Sequence, residues 1–236
     1  MPSEKAVRLD RYLANNTLFT RKEVKSLLKE GAVCVDGICE RVASRKIVSG
    51  SVVELEGEPI SHVGEIYLMM HKPVGYVCAN RDDQHPVVFD LLEEQPLHSL
   101  HIVGRLDIDT TGLILLTSDG KWSHKITSPR SGCHKVYQVG LEQPLTKSMI
   151  KRLEEGVYLG EEKRRTLPAK LQLVDERTCF LIIQEGRYRQ VKRMFASAEN
   201  RVISLHRAQI GEIELDPALQ PGDTRGLTRQ EISSVI

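Results

Sequence analysis

With 236 residues, 40% apolar and 28% charged side chains and a formal net charge of +1, the chain has material for one large domain, or for a medium domain and a small one. These proportions exclude a disordered tail, a collagen-like rod and a membrane span, since apolar stretches such as 113–116 and 180–183 fall far short of the ~20 residues a bilayer needs. Charge is sorted along the chain, at +4 over residues 1–50, −9 over 51–120, +9 over 121–210 and −3 over 211–236, so two basic blocks flank an acidic one and offer a positive face to a polyanion.

The polar, charged start at residues 1–5 has no signal-peptide core, and a soluble cytoplasmic protein is expected. A helix is predicted over residues 7–15. A second begins at Thr20, where Thr20 and Glu23 have the spacing of a capping box, and ends at Gly31. Val33 and Val35 then alternate up to Asp36-Gly37, a dipeptide suited to a tight hairpin turn, and a strand follows at 51–55. Arg8, Arg11, Arg21, Lys22, Lys25 and Lys29 stud the two helices; the bland explanation is a solvated helical surface.

A linker of Gly, Pro and acidic residues at 56–65 places a domain boundary at 60/61, giving a small domain 1–60 and a larger one 61–236. Beyond it, strands are predicted at 66–70, 113–117, 136–141, 169–174 and 178–184. Helical stretches are predicted at 87–92, at 147–155 (ended by Gly156) and at 189–198, where Val191, Met194, Phe195 and Ala198 keep helical spacing. The mixture lacks regular βαβ alternation, so the fold class is α+β.

The five cysteines, Cys34, Cys39, Cys78, Cys133 and Cys179, are scattered, odd in number and never form a CxxC pair, which suits reduced thiols. The eight histidines supply only His98 with His101, and Cys133 beside His134. No metal site is predicted.

The densest unusual segment spans residues 104–120, where Arg105, Asp107 and Asp109 stand beside two threonines and a glycine, directly before a strand. Loops abutting rigid strands are where reactive groups are held. A structural explanation is available, in which Asp109, Thr110 and Thr111 cap a turn and Asp107 pairs with Arg105. A chemical one reads Asp-Ile-Asp-Thr-Thr as a DxDxT phosphatase loop, with Asp107 as nucleophile and Asp109 as acid/base over magnesium. That loop normally follows an unbroken apolar strand, which Gly104 and Arg105 interrupt here.

The stretches RLDRYLANN, TRKEVKSLLKEGAVCVDG and GSVVELEG resemble, in order, the S4 domain, a small module that binds structured RNA by shape and backbone contacts. HKPVGYVC (71–78), GRLDIDTTGLILLTSDG (104–120), KVYQV (135–139), EGRYRQVKRMF (185–195) and SLHRAQIG (204–211) resemble the successive motifs of the RsuA family of pseudouridine synthases. The segment 120–130 is nearer to the family's small-subunit branch than to its large-subunit branch.

The resemblance implies a catalytic domain on a mixed, mainly antiparallel sheet with flanking helices behind an S4-like domain. It implies an isomerisation that detaches uracil from ribose at N1 and rejoins it through C5, without a cofactor. The implied target is one uridine of 16S ribosomal RNA, position 516 of that RNA, met free or in a small-subunit assembly intermediate by a monomeric enzyme.

By the same resemblance Asp107 is the essential aspartate, acting on the ribose as nucleophile or base, Lys192 is its cationic partner, and Tyr137 lies against the everted base. Lysine rather than arginine at 192 leaves a point charge without a bidentate fork. Leu205 packs on the uracil's other side, and Arg105 fills the vacated space or binds a phosphate. Arg187, Arg189, Arg193 and Arg207 are expected to contact RNA backbone in part. Lys72 and Pro73 are expected to brace the catalytic loop, and Tyr188 to stack or pack. The S4-like module would meet RNA through Arg8, Arg11, Arg21, Lys22 and Lys25. A different function class, a non-catalytic rRNA-binding assembly factor, keeps the same fold but has no chemical use for Asp107, Tyr137 and Lys192 together.

Overall fold

The computed structural model describes residues 6–48, 50–60, 64–92, 100–128 and 131–235. Residues 1–5 and His98, on which two of the expectations above fall, lie outside the described set. The chain divides into two compact units: one holds the described residues up to Ile66 with Leu92 and Leu100, the other Tyr67–Leu91 and everything from His101 onward.

The first unit contains β1 (Val7–Arg8), α1 (Leu9–Asn16), α2 (Arg21–Glu30), β2 (Val33–Val35), β3 (Ile38–Cys39), β4 (Lys46–Ile47), β5 (Val53–Leu55) and β6 (Glu58–Pro59). The first predicted helix starts later than residue 7 because Val7 and Arg8 pair with Ile47 and Lys46 as a short ribbon. The start of α2 follows the capping box, with the Thr20 hydroxyl accepting from Glu23 N at 3.3 Å and the Glu23 carboxylate accepting from Thr20 N at 2.7 Å. Gly31 ends it in the left-handed region, φ +81°. Asp36 and Gly37 both have positive φ, as a two-residue hairpin turn between β2 and β3 requires.

The part of the linker at 58–59 is strand instead, adding β6 to a sheet of order β3-β2-β5-β6. Val24 and Leu28, four apart on α2, join Leu9, Leu13, Val33, Val35 and Val53 in one core. Arg21, Lys22, Lys25 and Lys29 stay exposed. Arg8 instead makes a bidentate pair with Asp10 at 3.0 and 2.8 Å, whose hydrogen bonds hold the Asp10 carboxyl below its usual range. Arg11 reaches Glu65 at 3.3 Å.

The second unit runs β7 (Tyr67–Lys72), a 3-10 turn at Val88–Leu91 where a helix was predicted, β8 (His101–Val103), β9 (Thr111–Thr117), α3 (Gly120–Thr127), β10 (Lys135–Leu141), α4 (Lys147–Glu154), β11 (Lys170–Leu173), β12 (Thr178–Ile183), α5 (Gln190–Ser197), β13 (Val202–Ile210), β14 (Ile213–Glu214), β15 (Thr224–Gly226) and α6 (Arg229–Ser233). Its sheet has the order β11-β12-β10-β13-β9-β7-β15, with β14 on β13 and β8 on β9. Pairing is antiparallel except between β9 and β13. This is the mixed, mainly antiparallel sheet with flanking helices that the resemblance implied.

Leu113, Ile114, Leu115 and Leu116 of β9 are all fully buried, so the strand reads as a continuous apolar run rather than an alternation. Leu113 and Leu115, with Met69, Val103 and Ile210, pack against Trp122 and Ile126 of α3. Trp122 meets Tyr67 edge-on at 5.2 Å and donates its indole N–H to Ile232 O at 3.0 Å.

The longest strand, β13, was not predicted. Its sequence VISLHRAQI puts Arg207 on the face of Leu205, where alternation would put an apolar residue, and Arg207 is nevertheless 2% exposed. The close parallel approach of β13 to β9 depends on Gly112, at φ +106°, where an added Cβ would lie 2.3 Å from Arg207 O. Gly112→Ala is therefore expected to lower the unfolding free energy by more than about 2 kcal/mol, combining a left-handed backbone with a clash against main chain. Urea denaturation tests this, and an unshifted midpoint at unchanged slope would contradict it.

Candidate active site

The second unit holds a cavity of about 820 Å³, walled by the loop between β8 and β9, by β10 and β13, and by the segment leading into α5. Side chains tied from below fix the loop. Arg207 donates from Nη2 to Gly104 O and from Nε to Leu113 O, both at 2.8 Å, clamping its two ends. Lys72, fully buried, donates to Thr110 O at 2.8 Å and Pro73 O at 2.9 Å, with Ile108 O at 3.4 Å. Burial pushes the Lys72 pKa down, while those carbonyl oxygens give its ammonium a local hydration shell. Gly75 N adds a 2.8 Å bond to Ile108 O.

On this braced loop Asp107 presents a carboxylate that is 29% exposed, and its Oδ2 lies 3.6 Å from both Lys192 Nζ and Arg189 Nε. Lys192 also hydrogen-bonds Asp109, so one ammonium serves two carboxylates. Burial works to raise the Asp109 pKa, but the Lys192 ammonium outweighs it and holds the carboxyl below its ordinary value.

Both cations come from the start of α5. Arg189 occupies the N-cap with left-handed backbone, φ +47°, and Lys192 lies three residues on, on the same helix face. The first turn carries no acid, so the helix dipole adds positive potential there. Buried Gln190 fixes the entry by accepting from Arg187 N and donating to the Glu185 carboxylate, each at 2.9 Å.

Tyr137 on β10 and Leu205 on β13, 9% and 7% exposed, both line the cavity. They supply an aromatic and an apolar surface, the kind that holds a planar base. Arg105 is exposed at the same wall. The sequence reading thus placed Asp107, Lys192, Tyr137, Leu205, Arg105 and Arg189 around one space.

Arg207 is a correction. Its guanidinium is buried and bonded to main-chain carbonyls, so it braces the loop and is out of reach of an RNA phosphate. Arg187 is spent on Glu185, Glu162 and the carbonyls of Arg164 and Arg165. Arg193 is spent on Glu162 and the carbonyls of Leu159 and Tyr188. These two tie the 159–165 segment to α5. Tyr188, 74% exposed, projects beside them.

Sequence reasoning missed two contacts: Arg189 on Asp107 itself, and Asp109 on Lys192. The spacing of 189 and 192 was the available signal for the first.

The site also bears on the phosphatase reading. Cationic side chains already stand at both carboxylates where that chemistry would put a divalent ion, and the loop enters a mainly antiparallel sheet rather than a βαβ unit.

Comparison with known proteins agrees with this geometry. Residues 66–197, which include the loop of Asp107, Tyr137 and the start of α5, match the model of the RNA pseudouridylate synthase family. Among curated relatives, "Ribosomal small subunit pseudouridine synthase A" of Vibrio parahaemolyticus is 45% identical over 231 residues, covering 97% of this chain and 99% of that protein. The protein of the same name from Escherichia coli K12 is 45% identical, covering 98% and 100%. A solved structure described as a pseudouridylate synthase superposes with a TM-score of 0.71 at 40% identity, over 98% of this chain and 100% of the other. A carboxylate beside two cations in the wall of this cavity, within a chain matched almost end to end by such relatives, places this protein in the RNA pseudouridylate synthase family.

Proposed function

We propose that the protein converts one uridine of small-subunit (16S) ribosomal RNA to pseudouridine, with Asp107 acting at the ribose. The observation that carries this is Asp107 on a braced loop, with Lys192 and Arg189 at its oxygen and Tyr137 and Leu205 in the same cavity. The near full-length relatives named for the small subunit support the substrate.

A uridine stacked in RNA cannot reach Asp107, so it must be everted, at a cost of a few kcal/mol. Stacking against Tyr137 returns ~1 to 3 kcal/mol of that. Attack on the sugar and removal of a ribose proton both draw on the negative charge of the carboxylate, and Lys192 and Arg189 set positive charge beside the oxygen that would act. The cavity walls then retain the detached uracil until it recombines. Arg105 and Arg189 are the cations placed to meet the flanking backbone.

Incubation with small-subunit rRNA, and in parallel with an assembly intermediate, followed by chemical mapping of pseudouridine, tests both activity and target. One new modified site, formed in excess EDTA once RNA folding is controlled, is the expected result. RNA binding without any new pseudouridine would favour the assembly-factor reading.

The first unit is proposed to act as an S4-type RNA grip, through the exposed face of α2. Arg21, Lys22 and Lys25 changed together to alanine should weaken rRNA binding and flatten its salt dependence. The slope of log K against log salt should fall by roughly 0.7 to 0.9 for each phosphate that the variant no longer neutralises. Filter binding across a salt series measures this; an unchanged slope would remove α2 from the interface.

A further inference from the structure

The hairpin of the first unit carries a feature unrelated to isomerisation. Cys34 on β2 and Cys39 on β3 are directly opposite in register, and their sulfurs lie 2.9 Å apart. The neighbouring pair, Val33 and Glu40, is hydrogen-bonded, Glu40 N to Val33 O at 2.8 Å. Because narrow and wide pairs alternate, Cys34 and Cys39 form a non-hydrogen-bonded pair. Facing Cα atoms there are roughly 4.5 Å apart, within the roughly 4.4 to 6.8 Å a disulfide spans.

We propose that Cys34 and Cys39 are a reversible dithiol/disulfide site, oxidised by exchange with low-molecular-weight disulfides of the glutathione class. Cys39 is exposed and Cys34 half-buried, so a small oxidant reaches the pair. Cys39, the more exposed of the two sulfurs, meets the oxidant first. Its thiolate attacks one sulfur of the oxidant, the oxidant's S–S bond breaks, and one thiolate leaves. Cys34, losing its proton to solvent, then attacks the Cys39 sulfur of the mixed disulfide and expels the second thiol. The protein gives up two hydrogens as two protons and two electrons, and the oxidant becomes two thiols.

The remaining cysteines do not compete. Burial pushes the Cys179 thiol up to about 11 and raises Cys78 and Cys133 as well. Glu54 of β5 faces Cys34 in register, but among the described residues no three His, Cys, Asp or Glu are grouped so as to hold a metal ion, and the chemistry argued for the pair is that of a dithiol. The closed loop is short, so oxidation adds little chain constraint and leaves the fold in place.

The experiment exposes the full chain to a graded series of reduced and oxidised glutathione, quenches by alkylation under denaturing conditions, and digests without reduction. The thiol count of the oxidised protein should fall from five to three. The peptide carrying both Cys34 and Cys39 should become lighter by two hydrogens, and a dithiol reductant should restore it. Cys34→Ser should instead trap a stable glutathione adduct on Cys39. The proposal is overturned if both cysteines of the wild-type chain stay alkylatable across the series, keep a lasting glutathione adduct, or link two chains.

Discussion

Asp107→Asn is expected to reduce pseudouridine formation by at least about 10³-fold while leaving RNA affinity within a few-fold of the parent. The magnitude is that of losing a positioned base or nucleophile outright. The amide keeps the shape of the carboxylate, so the loop braced by Lys72 and Arg207 has no reason to move. What disappears is the charge at 3.6 Å from Lys192 and Arg189, and with it the group proposed to act on the sugar. Removing a negative charge beside a polyanion cannot weaken the RNA complex electrostatically, which separates a chemical defect from a binding one. Single-turnover tritium release from labelled uridine, run beside filter binding, gives both numbers. Turnover near that of the parent would strip Asp107 of its role.

Lys192→Met is expected to lower kcat by about 10²-fold and to move the acid limb of the pH–rate profile to higher pH. The sign follows from Asp109, whose carboxyl is held below its ordinary value by Lys192 against the opposing effect of burial. Without the ammonium the burial effect remains, and Asp107 keeps only Arg189. Asp109 then takes up its proton at a higher pH, and the fraction of enzyme with this carboxylate ionised falls sooner on acidification. The same linkage applies to stability. A depressed carboxyl contributes above its unfolded pKa and loses that contribution as pH falls through its folded one, so the variant's deficit should shrink in acid. Lys192→Arg keeps the charge and should recover most of the rate. An acid limb that does not move in the methionine variant would show that the Lys192–Asp109 contact does not shape the pH profile.

Where local chemistry decides structure, the sequence was legible. The Thr20/Glu23 box, the Asp36-Gly37 turn and the apolar run in β9 each specify their element through interactions a few residues long. The candidate site was visible for a different reason: Asp107, Lys192 and Tyr137 sit in ordered motifs that resemble a known family. The losses are of one kind. Arg187, Arg193 and Arg207 all read as free cations, yet each is consumed by carbonyls or carboxylates brought from distant segments, and charge counting cannot see such partners. Strand β13 was hidden by the same event, because a buried arginine interrupts the apolar pattern that marks a strand. Lys192 was matched with one carboxylate, although the fold delivers two.

The left-handed backbone of Arg189 carries a cost to the folded state of about 1 to 2 kcal/mol that glycine would not incur. Glycine, however, would remove one of the two cations that touch Asp107. On the proposed role of Asp107, thermal robustness and catalytic power pull this position in opposite directions, and its occupant is the side chain that keeps the cation.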